Sequence, residues 1–440
     1  MKQSALRAGS AAAFALLPRH MLGGRRGLAA GDRMNVAGIG VGGMGAANLQ
    51  NLDSENIVAL CDVDPNYAAE TIKRYPRATF FVDYREMLDK QKDIEGVVIA
   101  TPDHTHAVIA TAAMRAGKHV YCQKPLTHDI CEARLLAKIA RETGVITQMG
   151  IQGHSMEGIR LTCEWIWAGV IGEVREVDAW CDLSYYPWGH APWSSQWSDR
   201  PTDMPPVPPG MNWDLWIGPA PMRPYHRAYH PMTWRCWWDF GNGMMGDRGT
   251  HTLDPVFMAL KLGAPTSIEA TSCGNTPEVH PLSAIVTFLF PARGEMPPLK
   301  LTWYEGTRPP RPAELEDGRQ MPAEGGVFYK GAKGTIMAGV YGDSPRIIPE
   351  GRMQEANLPE KTLPRVLGSH EQDWVRACKS GGTAGADFSY SGPLTEICCL
   401  GNIAKRVDSR IEWDATKMQV KNLPEANQYV RQEYRQGWEL

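Results

Sequence analysis

The ten cysteines of this chain include no C-x-x-C pair. Neither a dithiol redox centre nor a thiolate zinc site therefore has its usual spacing. The cysteines are scattered, with Cys398 and Cys399 adjacent inside an apolar run, and they read as buried thiols packing like small hydrophobes. A disulfide framework is not the expected scaffold for a chain of 440 residues, which is long enough to build a large core. An excess of positive charge is also missing. The formal net charge is −3, which argues against nucleic acid or an anionic membrane surface as a partner. Beyond the first thirty residues no apolar run approaches the roughly twenty residues of a spanning helix. No internal repeat is present, and no metal-ligand spacing is found. What remains is 43% hydrophobic and 22% charged, an ordinary globular composition with room for two domains.

Residues 1–30 stand apart. Lys2 and Arg7 precede an apolar run over 11–17, and Leu28-Ala29-Ala30 closes the stretch with small residues. Positive, apolar, then small is the order of a secretory leader. The stretch resembles a twin-arginine export leader without its upstream arginine pair, Arg25-Arg26 lying after the apolar run. The expectation is a periplasmic or exported protein, and a cytoplasmic one if the leader is not functional.

From Asn35 the pattern becomes regular. Apolar runs at 36–40, 57–62, 79–81, 96–100, 119–122 and 145–149 alternate with helical stretches over 44–51, 67–75, 84–90, 105–116 and 130–143. Continuous apolar strands between amphipathic helices predict a doubly wound parallel sheet, a Rossmann domain over 34–150. Gly38-Ile39-Gly40-Val41-Gly42-Gly43 fits G-x-G-x-x-G. In a glycine-rich chain that motif alone is weak, but here it closes a first strand and opens a helix. Missing side chains let the backbone approach a pyrophosphate at the helix N-terminus. Asp62 ends the second strand about twenty residues on, where a carboxylate accepts from ribose hydroxyls and repels a 2′-phosphate. NAD is expected rather than NADP. Ligands of open parallel sheets bind beyond the carboxyl ends of the strands. The candidate cofactor-binding residues are therefore Gly38, Gly40, Gly43, Met44, Asp62, Thr101, Pro102, His104, His106, Gln123 and Lys124. Lys124 would otherwise read as a solvated loop lysine; its place at a strand end beside the crevice argues for more.

Together the glycine loop, Cys61-Asp62-Val63-Asp64, the run from Thr101 through His104 and His106 to Ala107, and Gln123-Lys124-Pro125 resemble the glucose-fructose oxidoreductase, inositol dehydrogenase and rhizopine-catabolism (Gfo/Idh/MocA) family. The resemblance covers nearly all of the chain after residue 33. It implies α/β plus α+β architecture: an N-terminal Rossmann domain, then a substrate and oligomerisation domain over 151–440 with a large, open, mostly antiparallel sheet. It also implies a homo-oligomer, dimer or tetramer. In the family the strand-five motif is usually Glu-Lys-Pro and its lysine is catalytic. Gln123 departs from that pattern by removing a charge beside Lys124.

In the second half a glycine turn leads into a helix carrying Asp247, His251 and Asp254 at i, i+4 and i+7, on one face. The spacing alone favours a dipole-stabilised aspartate and a core histidine over a catalytic pair. The resemblance implies an Asp…His pair opposite the nicotinamide, matched by Asp247 and His251, with Asp254 structural. The implied reaction is oxidation of a hydroxyl of a sugar, glycoside or polyol by hydride transfer to NAD, at C3 if the substrate is a hexoside. His251 would act as base, Asp247 would orient it or hold a neighbouring hydroxyl, and Lys124 would steady the alkoxide and relay the proton. Relatives that hydrolyse glycosides through transient C3 oxidation share the same machinery, and a non-catalytic sugar sensor is the remaining reading. Thirteen aromatics crowd 180–238. Most read as loop packing, but aromatic faces also suit sugar rings. Trp213, His226 and Arg235, with Asp247 and His251, are the candidate substrate-binding residues. The aromatic, charged ending over 427–440 reads as a tail able to dock on a neighbouring subunit.

Overall fold

The computed structural model describes residues 33–185 and 193–440. The leader-like segment, with Tyr186 and Trp188 of the aromatic stretch, lies outside the described residues. The first half folds as β1 (Asn35–Ile39), α1 (Gly43–Gln50), β2 (Asn56–Cys61), α2 (Ala69–Arg74), β3 (Thr79–Phe81), α3 (Tyr84–Lys90), β4 (Gly96–Ile99), α4 (His106–Arg115), β5 (His119–Gln123), α5 (Ile130–Thr143) and β6 (Thr147–Gly150). The sheet order is β3-β2-β1-β4-β5-β6 with every pair parallel, the doubly wound dinucleotide-binding arrangement. Local chemistry accounts for the sharpest boundaries. Asp129 caps α5 in a capping box with Glu132, and Gly144 ends it at φ +67°.

The second half contributes α6 (Glu157–Trp167), β7 (Val174–Cys181), α7 (Trp213–Ile217), α8 (Thr250–Ala259), β8 (Ser267–Cys273), β9 (Ser283–Phe290), β10 (Leu299–Glu305), β11 (Gly326–Gly331), β12 (Gly334–Gly339), β13 (Arg346–Ile348), α9 (Glu350–Glu355), α10 (His370–Ser380), α11 (Phe388–Val407), β14 (Ile411–Asp414) and β15 (Gln419–Val420). Its sheet has nine strands in the order β13-β12-β11-β7-β10-β9-β8-β14-β15. Among the described residues of this sheet only β7 and β10 run parallel. β8 and β9 alternate buried and exposed residues, with one face packed on helices and the other outward. β11 and β12 are instead buried on both faces, Trp180, Phe328 and Met337 packing against Leu315 on the far side. Eight of the ten cysteines are buried, Cys398 and Cys399 within α11.

The two halves interlock. Trp374 of α10 is fully buried with Met34, Val36 and Tyr121, so a late helix covers one face of the first sheet. The tail docks on its own chain. The Gln432 amide donates to Asp129, the Tyr434 hydroxyl donates to Glu132, and Arg435 pairs with Asp214 at 2.5 Å. Its aromatic and charged side chains find their partners at the start of α5 and on α7.

Candidate active site

The carboxyl ends of β1, β2, β4 and β5 open into a cleft of about 600 Å³ closed on its far side by the second half. The G-x-G-x-x-G spacing also occurs two residues further on, as Gly40, Gly42 and Gly45, and that frame occupies the strand-to-helix turn. Gly40 has φ +74°, and Gly42 is the N-cap of α1. A Cβ on Gly45 would lie 1.9 Å from the Gly40 carbonyl oxygen, so only glycine lets α1 start this close to the turn. Gly38, expected among the cofactor glycines, lies inside β1. There a Cβ would meet the side chains of Val41 and Leu49, and Gly38 does not line the cleft. Gly40, Gly43 and Met44 do line it, as do Asp62, Thr101, Pro102, Gln123 and Lys124. The first amides of α1 have no partner within the helix, which leaves this turn able to take a pyrophosphate. Asp62 Oδ2 accepts from the Val41 amide at 2.8 Å and Oδ1 from the Asp64 amide at 3.0 Å. Burial raises its pKa to about 6 despite these donors. Each oxygen has a second lone pair, so ribose hydroxyls can still donate. The residues fit a dinucleotide.

His104 and His106, also expected at the cofactor, turn away from the cleft. His104 bridges the carbonyls of Phe240 and Trp216 at 3.2 and 3.0 Å, and burial pulls its pKa down to about 3. His106 bridges the carbonyls of Pro125 and Thr101, both at 2.9 Å. Asp103 accepts from the Asn242 amide at 2.9 Å. These three residues are a latch. They hold the β4 and β5 ends to the segment that leads into Asp247.

Where that segment reaches the cleft, Met245–Gly249 form a π-helical turn running into α8. The widened turn carries Asp247 and His251 to the cleft wall, while Asp254 faces away to His154 at 2.9 Å and to the Tyr390 hydroxyl. Lys124, across a cis peptide from Pro125, reaches over from the first half. It forms an ion pair with Asp247 Oδ1 and lies 3.3 Å from the Asp247 carbonyl oxygen. The Tyr185 hydroxyl donates to the other carboxylate oxygen. Asp247 is thus engaged by Lys124 and Tyr185, not by His251 as expected. Burial draws the Lys124 ammonium down to about 7, with Arg235 adding repulsion, and raises the Asp247 carboxyl to about 7. Their contact opposes both shifts, because each charge favours the charged form of the other. His251 stands edge-on to Tyr341 with centroids 4.8 Å apart, and its buried Nδ1 has no hydrogen-bond partner among the described residues. Burial and the nearby Lys124 and Arg248 hold its pKa well below 6.5, so His251 is neutral at physiological pH.

Of the expected substrate residues, Arg235 lines the cleft, with its guanidinium 4.3 Å from the Trp234 ring and Nη1 donating to the Met232 carbonyl at 3.2 Å. Trp213 and His226 do not line it. Trp213 stacks on Trp216 at 4.5 Å, and His226 is fastened to Asp203 and the Ala228 amide. The reading of the residues missed Arg248, Tyr341, Trp216 and Trp438, which line the cleft, and Tyr185 behind Asp247. Tyr185 and Trp216 had no distinguishing signal among thirteen similar aromatics.

Residues 34–151 match the NAD-binding Rossmann-fold domain of the GFO_IDH_MocA oxidoreductase family, and residues 185–287 match that family's C-terminal alpha/beta domain. The chain belongs to the Gfo/Idh/MocA oxidoreductase family. It is 26% identical over 196 residues to levoglucosan dehydrogenase of Pseudarthrobacter phenanthrenivorans, spanning 44% of this chain and 40% of that one. Inositol 2-dehydrogenase of Salmonella typhimurium is 28% identical over 141 residues, 31% of this chain and 42% of that one. The chain thus spans about two fifths of the curated relatives it matches. Among solved structures, the WlbA dehydrogenase of Chromobacterium violaceum, in complex with NADH and UDP-GlcNAcA, superposes with TM-score 0.63. That match covers 89% of this chain and 98% of the other at 14% identity, so it speaks to the fold.

The departure of this Gfo/Idh/MocA chain at Gln123 has a structural counterpart. The Gln123 amide donates to Asn48 Oδ1 at 3.0 Å, and the Asn48 amide donates to Glu371 at 2.7 Å. A carboxylate at 123 would compete with Glu371 for the one Asn48 amide group. Whichever way Asn48 turned, one buried carboxylate would face its oxygen. Gln123→Glu should therefore cost about 1–3 kcal/mol, read as a lower midpoint in denaturant. An unchanged midpoint would exclude this account of the amide.

Proposed function

We propose that the protein is an NAD-dependent dehydrogenase that oxidises a hydroxyl of a sugar, glycoside or polyol. The observation that carries this reading is the contact of Lys124 with Asp247. A buried amine from the dinucleotide half meets a buried carboxylate from the other half, in the cleft the glycine turn opens into. Relatives named for levoglucosan and inositol oxidation support the substrate class, and the aromatic walls formed by Trp193, Trp216 and Trp234 suit the C–H faces of a sugar ring. NAD supplies the hydride acceptor when bound. The substrate hydroxyl proton passes to the neutral amine of Lys124, whose lowered pKa makes it a base near neutrality. Asp247 steadies the ammonium that results, and Tyr185 holds Asp247 in place. Neutral His251 donates or accepts a hydrogen bond from a neighbouring hydroxyl, orienting the carbon that loses hydride. Asp62, a carboxylate at the ribose position, supports NAD over NADP.

The exposed Ile285 and Leu289 on the outward face of the nine-stranded sheet support assembly into a homo-oligomer. The order of charges and apolar residues in the leader-like segment supports export. No helix among the described residues is long and apolar enough to cross a membrane.

The test is a panel of sugars, glycosides and polyols incubated with purified protein and NAD, followed by NADH absorbance and product mass. Stoichiometric NADH and a ketone product are expected with at least one of them. Release of an aglycone with no net NADH would replace the dehydrogenase by a hydrolase using the same residues.

A further inference from the structure

We propose that Trp438 forms part of the adenine site, the tail acting as a strap that presents its ring to the cofactor. This rests on the dinucleotide reading of the cleft. The cleft has two ends. Lys124 and Asp247 mark one; Asp62 after β2, and Val82 and Tyr84 after β3, mark the other. A dinucleotide whose pyrophosphate lies on the Gly40 turn, with its ribose at Asp62, extends its adenine over the β2–β3 side. Trp438 lines the cleft, and its contact with Arg85, next to Tyr84 in the chain, puts it on that side. The guanidinium of Arg85, in the first turn of α3, lies 4.9 Å from its ring, and a Cβ on Gly218 would lie 3.8 Å from it.

The strap is built to hold the ring there. Arg435 pairs with Asp214, donates from Nε to the Gly218 carbonyl at 3.1 Å, and gives its own amide to the Pro219 carbonyl at 3.0 Å. The Trp438 amide then closes a turn onto the Arg435 carbonyl at 3.1 Å. Trp438 is packed into the core by most of its surface and turns one edge to the cleft. Arg85 is itself bonded to Asp83 through Nε and Nη2. This end therefore offers an aromatic surface rather than a free cation, which suits an uncharged base.

Calorimetric titration of the full chain with NAD and with ADP-ribose, which lacks the nicotinamide, tests the assignment. Trp438→Ala should raise both dissociation constants about tenfold or more, the loss expected for one stacked base. Because the ring is also buried in the core, it should lower the melting temperature of the free protein as well, which Trp438→Phe should largely restore. Trp438→Phe should recover most of the affinity, yet ADP-ribose should quench less tryptophan emission in it than in the original protein. Wild-type affinity of Trp438→Ala for both ligands, or undiminished quenching in Trp438→Phe, would overturn the role of the ring while leaving the cleft reading intact. If the unsubstituted protein bound neither ligand, both readings would fall.

Discussion

Lys124→Met is expected to lower kcat for hydroxyl oxidation by about a thousandfold, within the range for loss of a positioned proton acceptor. The fold and NAD affinity should persist. Methionine fills the same channel without the amine, and the Asp247 left behind is already biased by burial toward its neutral form. The pH profile separates proton transfer from simple charge. Burial draws the Lys124 pKa down toward 7, but its ion pair with Asp247 pulls it back up. The kcat/KM of the original protein should therefore rise with pH above about 7 as the pair loses a proton, because oxidation needs the free amine. The observed value belongs to the pair. Lys124→Arg keeps a cation that cannot give up its proton. It should be as inactive as Lys124→Met if Lys124 is the base, and partly active if charge alone matters. Near-normal turnover by either variant would remove Lys124 from the proton path.

Gly45→Ala should weaken NAD binding by tenfold to about a hundredfold and destabilise the fold by about 1–3 kcal/mol, the usual cost of overpacking. The added Cβ would meet the Gly40 carbonyl, a backbone group that cannot rotate aside. The start of α1 must then shift away from the turn that receives the pyrophosphate. Gly38→Ala is the control. Its Cβ would press on the side-chain ends of Val41 and Leu49, so it should cost stability while leaving NAD affinity closer to normal. Calorimetry and thermal melting of the two variants side by side read both quantities. Equal NAD affinity in Gly45→Ala and the original protein would show that the close approach is not what shapes the site.

The latch formed by Asp103, His104 and His106 shows why a motif can be conspicuous and still miss the ligand. His104 and His106, after a Rossmann strand, read as cofactor contacts, yet both bond backbone carbonyls instead, while Asp103 beside them borders the cleft and holds the Asn242 amide. Their contribution is to hold two half-sites in register. The geometry between Lys124 and Asp247 depends on that register, since the two residues come from different halves of the chain.

The sequence by itself determined the doubly wound first half, the strand-end positions of Asp62 and Lys124, and the family. Those features rest on short-range periodicity, glycine placement and spacing along one strand or helix, which the backbone converts directly into direction. It also brought Asp247 and His251 to one wall, because residues four apart share a face even through a π-helical turn. Other features were decided only by the tertiary structure. The frame of the glycine motif depends on which glycine meets the Gly40 carbonyl across the turn. The partner of Asp247, Tyr185 rather than His251, depends on a loop that sequence could not orient. Gln123 acquires its meaning from Asn48 and Glu371, the latter 248 positions away in α10. The tail, whose composition shows only that it can dock on some surface, is bound to its own chain, placing Trp438 in the cleft. Each of these is a long-range contact between side chains, and local pattern carries no information about which distant surface a side chain will meet.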